Sequence, residues 1–462
     1  MSSWIKVIVA AGWLMSSGLT LTGIVHADDA VTAAPNAGTP RVTMSAPAAP
    51  SAQAAPTNTP VNTPTNTPMN APASAPVAEP AAAADNAMPA KTEDGVTADT
   101  IVFGQPAALS GPAAALGQGM KAGIEAAFAE ANKKGGIHGR KLKLISRDDG
   151  YEPDRSIAAV KTLIEKDKVF AIIGPVGTPT AVATQPIATA AGVPFVGPFT
   201  GAGFLRNPKL ANVINVRASY GEETEAWIDH LTKDLKIKDI AILYQEDGFG
   251  RVGLAGVKAA LKKRDLKFVA EGAYRRNTVA IKMAVLDIKS ANPDAVVMVG
   301  AYKPCAAFIK LSHKLGFNPV FVNISFVGAA ALAKELGPEG KGVVVSQVVP
   351  FPWDASRKVV ADYQAAIKAA DAKAKPAFVS LEGYLVGRLA VAGLERAGDN
   401  PTRESFLKAI KVPGTFDFGG LTLRFGPQQN QGLHQVFMTV IQENGTFKAV
   451  DKLPPVNTAA SY

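Results

Sequence analysis

The sequence predicts an α/β protein made of two parallel-sheet lobes, and three observations carry that prediction. From Ile101 onward, apolar β-rich runs alternate with helical patterns, which is the signature of parallel strands covered by helices. The first ten such runs fall into two successive groups of five. The chain is 462 residues long, which exceeds one ordinary core, so two or more compact units are expected.

In chain order, the first group has strands near 101–104, 142–146, 169–173, 193–196 and 213–216, with helices over 117–134, 154–167 and 179–191. The second group has strands near 239–244, 266–270, 294–299, 319–322 and 342–349, with helices over 222–235, 249–263, 278–290, 303–315 and 328–336. Helices near 355–370, 378–397 and 402–410 follow, then strands near 421–425 and 435–450, the latter turning at Glu443-Asn444-Gly445. A helix pair and hairpin placed after two doubly wound groups imply a chain that crosses between lobes more than once.

Residues 171–203 read strand, turn, helix, turn, strand, turn, and both flanking turns are built from Gly, Pro and Thr. Each turn lies at the carboxyl end of an expected parallel strand, the edge where open α/β sheets bind ligands. Thr178-Pro179 reads as an N-cap hydroxyl followed by proline at the first helical position. Free N–H groups at such a terminus favour an anion such as a carboxylate.

Hydrophobic residues make up 47% of the chain and charged residues 19%, a globular composition. The N-terminus differs. Lys6 precedes an apolar run from Val7 to Val25 that ends in Val25-His26-Ala27, the pattern of a signal peptide over 1–27 that is cleaved after Ala27, with an uncleaved membrane anchor as the competing reading. Residues 28–94, rich in Ala, Pro, Thr and Asn, read as a disordered tether. The single cysteine, Cys305, excludes an intramolecular disulfide and reads as a small half-buried helix residue. Residues 1–90 hold two basic and four acidic side chains against a whole-chain net charge of +9, so the remainder carries +11. That excess is dispersed, its largest cluster being Lys262-Lys263-Arg264 beside Asp265. No basic stripe with interleaved aromatics appears, which disfavours nucleic acid as a partner.

Catalytic chemistry finds little support. The five histidines are scattered, with no HExxH and no cysteine partners, so no metal is expected. There is no Gly-x-Ser-x-Gly elbow and no Walker loop. Gly117-Gln118-Gly119 has the wrong spacing for a dinucleotide fingerprint and reads as close packing at a helix start, so no cofactor is expected. Asp148-Asp149 could do acid–base work, yet a plain turn with Asp154 as helix N-cap explains them equally well. Tyr151 beside them sits on a strand-end loop, and Phe249, Tyr302, Ser325 and Phe326 occupy matching positions in the second group. Hydroxyl, aromatic and Gly-rich groups at nearly every strand end, with no nucleophile–base pair, fit recognition without reaction.

Leu109-Ser110-Gly111-Pro112, the run from Asn132 to Gly139, Ile173-Gly174-Pro175 and Pro198-Phe199-Thr200-Gly201-Ala202 carry a family likeness. From about Gly95 to Val450 the sequence resembles the periplasmic solute-binding proteins of branched-chain amino acid ABC transporters, the type I periplasmic binding proteins. The resemblance implies two lobes joined by three crossings, with ligand trapped between them by hinge closure. It divides the chain into lobe 1 (95–218 and 347–432) and lobe 2 (219–346 and 433–462). It implies a carboxylate-binding turn at Val176, Gly177 and Thr178, and a second ligand loop at Phe199, Thr200 and Gly201. Leu116 falls near the ligand side chain, and Phe249 and Tyr302 take tyrosine positions. Ser325 stands where amino acid binders place a glutamate for the ammonium, with Glu222, Glu246 and Glu382 as possible substitutes. The expected protein is a periplasmic monomer that delivers a small carboxylate-bearing solute to an inner-membrane ABC permease. A ligand-sensing module acting on a receptor or envelope partner is the alternative.

Overall fold

The computed structural model describes residues 93–455. The expected signal peptide and nearly all of the expected tether lie outside the described residues. Glu93, at the tether's expected end, belongs to the folded body: its Oε2 accepts from the Arg403 amide at 3.0 Å.

Five parallel strands form the first sheet: β1 (Thr100–Ala107), β2 (Lys141–Asp148), β3 (Ala171–Ile173), β4 (Phe195–Val196) and β5 (Val213–Ile214), in the order β2-β1-β3-β4-β5. Their connections are α1 (Ala114–Lys133), α2 (Pro153–Glu165) and α3 (Thr178–Ala190). The chain then crosses to a second lobe. There α4 (Tyr220–Lys233), β6 (Ile240–Gln245), α5 (Gly248–Lys262), β7 (Ala270–Tyr274), α6 (Lys282–Ser290), β8 (Ala295–Val299), α7 (Tyr302–Lys314), β9 (Val320–Asn323), α8 (Ala329–Leu336) and β10 (Val344–Gln347) follow. Every residue of β8, AVVMV, is buried, as expected of a strand covered on both faces.

After β10 the chain returns to the first lobe as α9 (Lys358–Ala370), α10 (Phe378–Ala397), α11 (Arg403–Lys411) and the hairpin β11 (Thr415–Asp417) with β12 (Thr422–Arg424). Phe406 of α11 meets Phe170 at 5.4 Å between ring centroids, and Phe170 meets Phe103 of β1 at 5.9 Å. A third crossing leads to β13 (Phe437–Ile441) and β14 (Phe447–Val450), which extend the second sheet antiparallel to the order β14-β13-β10-β9-β8-β6-β7. The first and third crossings touch through a parallel bridge between Asn215 and Gln431. Helix α10 lies directly on α1, because a Cβ at Gly123 would stand 2.0 Å from Ser380 O and one at Gly383 2.3 Å from Met120 O.

Several local expectations are corrected. The strand expected at 266–270 runs over Ala270–Tyr274, since pairing with β6 starts at Ala241↔Ala270 while Leu266 and Phe268 pack on the core ahead of it. The short β11 had no alternating pattern long enough to predict. Gly177, not Thr178, is the N-cap of α3. Glu152, not Asp154, is that of α2, and neither cap makes a side-chain hydrogen bond. Cys305 is fully buried, and burial pushes its thiol pKa up.

Candidate functional site

The carboxyl ends of both parallel sheets meet across one cleft, and the lobes are closed on each other. On the first wall, the two Gly/Thr turns are zipped together: Gly177 N donates to Phe199 O at 3.2 Å and Phe199 N to Pro175 O at 2.8 Å. Val176 and Phe199 form a parallel bridge. Thr178 and Thr200 share a hydrogen bond of 2.6 Å between hydroxyls, and Thr200 Oγ1 also accepts from the Ala202 amide at 3.2 Å. Thr178 therefore faces its partner turn and does not cap its own helix. Gly177 has φ +103°, and a Cβ there would stand 2.2 Å from Tyr151 Cε2. Only glycine lets the backbone take that turn and the Tyr151 ring pack against it. Gly201 is pressed equally close to Tyr220, with a would-be Cβ 2.5 Å from its Cδ1.

The opposite wall supplies Phe249, Tyr302, Ser325 and Phe326. The Phe326 ring crosses the cleft, with centroids 4.6 Å from Phe249, 5.3 Å from Phe199 and 5.9 Å from Tyr151. Tyr220 meets Phe249 at 5.4 Å. Tyr302 OH accepts from Ala115 N at 3.4 Å, and the buried Leu116 side chain packs at Gly328. Gln245 Nε2 donates to Tyr151 OH at 3.3 Å, another bond between walls. All twelve residues singled out in the sequence thus line or flank this cleft.

Two of the three charged groups at the centre of the cleft, Arg217 and Glu223, are not among the residues singled out in the sequence. Arg217, in the first crossing, is 0% exposed. Its Nη2 donates to Ser325 Oγ and lies 3.4 Å from Glu223 Oε1, while its Nη1 lies 3.7 Å from Glu382 Oε1. Its Cζ sits 4.9 Å from the Phe199 centroid and 5.8 Å from that of Tyr220. Glu223, also fully buried, accepts from Ser325 N at 2.9 Å, Ser325 Oγ at 2.8 Å and Ser346 Oγ at 2.6 Å. Burial works against the Arg217 charge, yet Glu382 and Glu223 together raise its pKa. Burial, reinforced by Glu223, pushes Glu382 up to about 7 against the pull of Arg217 and Arg206. Arg217 Nε, Arg217 Nη1 and Tyr220 OH have no hydrogen-bond partner. Its position three residues past β5 was the one available signal for Arg217, since that loop leaves a strand end like the others.

Of the three glutamates considered for the counter-ion role, only Glu382 lies in the cleft. Glu222 closes a capping box with Ser219 and meets His434 at 2.6 Å, and Glu246 is exposed. The Asp148-Asp149 pair holds its own loop. Asp148 accepts from Leu109 N and Gly150 N at 2.9 Å and from Ser110 Oγ at 2.5 Å. Asp149 accepts from Tyr151 N at 2.8 Å and Ser156 Oγ at 2.7 Å, and burial raises it to about 6. Among the described residues no group of three or more metal-ligating side chains occurs, and no helix is long and apolar enough to cross a membrane.

A family profile described as "Periplasmic binding protein" matches residues 100–446. The chain is 27% identical over 312 residues to Leu/Ile/Val-binding protein homolog 3 of Brucella melitensis, covering 67% of this chain and 83% of that one. It is 29% identical to the Leu/Ile/Val-binding protein BraC3 of Rhizobium johnstonii, with coverage of 67% and 83%. The crystal structure of a possible leucine/isoleucine/valine-binding protein from Rhodopirellula baltica superposes with a TM-score of 0.72 at 39% identity, covering 78% of this chain and 98% of that one.

Proposed function

This chain belongs to the periplasmic binding protein family, with the type I fold, and from that premise we propose that its cleft captures a small carboxylate-bearing solute for delivery to an inner-membrane ABC permease. The family's members are binding proteins, not enzymes. The relatives named for leucine, isoleucine and valine make a branched-chain amino acid or a compound of similar size and shape the natural starting point for a search. In this reading an N-terminal signal peptide exports the chain, a tether extends its reach, and the mature protein works as a monomer.

One observation carries the proposal. The Thr178–Thr200 hydroxyl pair stands beside a cluster of aromatic rings, Tyr151, Phe199, Phe249 and Phe326, that come from both lobes. A solute with a carboxylate at one end and an apolar group at the other suits a site opened between those rings and that pair. The amides of Val176 and Gly201 would face the carboxylate, with Gly177 shaping the turn, while Leu116, Tyr302 and Ser325 would complete the enclosure. Ligand that binds only the folded, closed form raises the melting temperature by mass action. A thermal-shift screen of amino acids, short aliphatic acids, aromatic acids and amides is therefore expected to give a hit. No shift with any of these classes, together with no retained small molecule in native mass spectrometry, overturns the reading.

A further inference from the structure

We propose that Arg217 is the anion anchor of the cleft, and that the solute is a small apolar monocarboxylate lacking an ammonium group, bound together with a proton that settles on Glu382. This rests on the cleft being a solute site and narrows that reading to a substrate class.

The argument is a balance of donors against acceptors. Arg217 is 0% exposed, yet its Nε meets no acceptor, its Nη1 has only the Glu382 carboxylate at 3.7 Å, beyond hydrogen-bond reach, and the equally buried Tyr220 hydroxyl makes no well-formed hydrogen bond. Leaving buried donors unpaired is costly, more so on a charged group, and a folded protein that does so signals a missing partner. These donors belong to one place: the guanidinium lies over the Phe199 and Tyr220 rings, and Phe199 and Thr200 are consecutive in the carboxylate-facing turn. What is missing there is an acceptor. A carboxylate presents two oxygens to the guanidinium edge that carries Nε or Nη1.

An ammonium finds no comparable place. Both oxygens of Glu223 are taken by Ser325 and Ser346. Glu382 is the only other carboxylate beside Arg217 among the described residues, and it stands 3.7 Å from Nη1. An ammonium paired with Glu382 would share it with a guanidinium at like-charge distance. Among the described residues the unmet buried acceptors of the second lobe are Asn323 Oδ1 and the hydroxyls of Ser312 and Tyr220, and neutral oxygens do not offset a buried ammonium.

The charges facing Glu382 are Arg217 in the first crossing, Glu223 on α4 and Arg206 on the first lobe. A ligand carboxylate arriving at Arg217 adds a second negative charge beside Glu382 and raises its proton affinity. Water then supplies a proton to Glu382 Oε, and the anion enters the cleft as a neutral pair with it. An ammonium arriving at Glu382 would do the reverse and release a proton. The sign of proton exchange therefore reports the ligand class.

The test is titration calorimetry on the full chain, freed of retained solute, in buffers of different ionisation enthalpy. Two matched pairs differ only in the ammonium: isocaproate against L-leucine, and hydrocinnamate against L-phenylalanine. The acid of at least one pair is expected to bind roughly tenfold or more tightly than its amino acid. Its binding should take up a proton and weaken as pH rises above about 7. E382Q is expected to flatten that pH slope, and R217K to weaken the acid about tenfold or more while thermal unfolding confirms that it folds. Tighter binding of the amino acid, proton release, or a pH slope untouched by E382Q overturns this proposal and leaves the solute-binding reading standing. Absence of binding by all four probes and of any retained small molecule overturns both.

Discussion

Thr178 and Thr200 spend one hydroxyl proton on each other, which leaves the pair a single donor for a ligand. The double variant T178A/T200A should therefore fold and lose affinity for a carboxylate by about 1.5–3 kcal/mol, the worth of a hydrogen bond to a charged group. Calorimetry with whichever acid or amino acid binds the wild type checks this, and retained affinity would remove the pair from the site. Asp148 gives a second prediction at this scale. Burial alone would raise its pKa, but the Ser110 hydroxyl and the amides of Leu109, Gly150 and Ser110 outweigh it and hold the group at about 2. A lowered folded-state value means stabilisation that is present above the unfolded value of 3.8 and lost as pH falls through 2. D148N should melt below wild type at neutral pH, with the gap closing between those two values. Thr178, Thr200, Tyr151 and Phe326 were legible in the sequence as strand-end residues. Arg217 and Glu223 were not, because in the run Asn215 to Glu223 a buried ion pair and an ordinary solvated loop read alike.

Elements were legible wherever period and punctuation agreed. Helix α10 falls at the expected 378–397, framed by the preceding Ala377 and the following Gly398. The misplaced strand β7 shows the limit, since its apolar run begins before the backbone starts to pair and register belongs to the partner strand. The crossing of α1 on α10 was invisible in sequence, although Gly119, which faces Val379 and Ser380 of α10, was read as a packing residue. There Gly383 brings α10 within 2.3 Å of Met120 O at a would-be Cβ, and this seats Glu382 beside Arg217. G383V should force the helices apart and destabilise the fold by about 1–3 kcal/mol, the range for overpacking, as measured by urea unfolding. An unchanged unfolding midpoint would show that the crossing yields without strain.

For the whole molecule, closure is held outside the aromatic cluster by a clasp between lobes. Arg276 meets Glu152 at 2.8 Å and Asp247 at 3.1 Å, and Asn277 donates to Gly150 O at 3.1 Å and Glu152 Oε1 at 2.7 Å. The pair is partly exposed, so R276A should weaken closure by at most about 1 kcal/mol. Faster ligand release in stopped-flow measurements is the expected readout, with an unchanged off-rate counting against the clasp. The sequence by itself determined the alternation of strands and helices, hence two parallel sheets, and the chemistry at most strand ends, because both are written in local period and turn residues. The tertiary structure alone decided which charges leave water and where they meet. Arg217 and Ser325 are 108 residues apart, and no local pattern encodes a contact made only when two lobes close. The same physical reason lets Phe326 cross the cleft and puts Glu382, from a helix added after both lobes, beside the guanidinium.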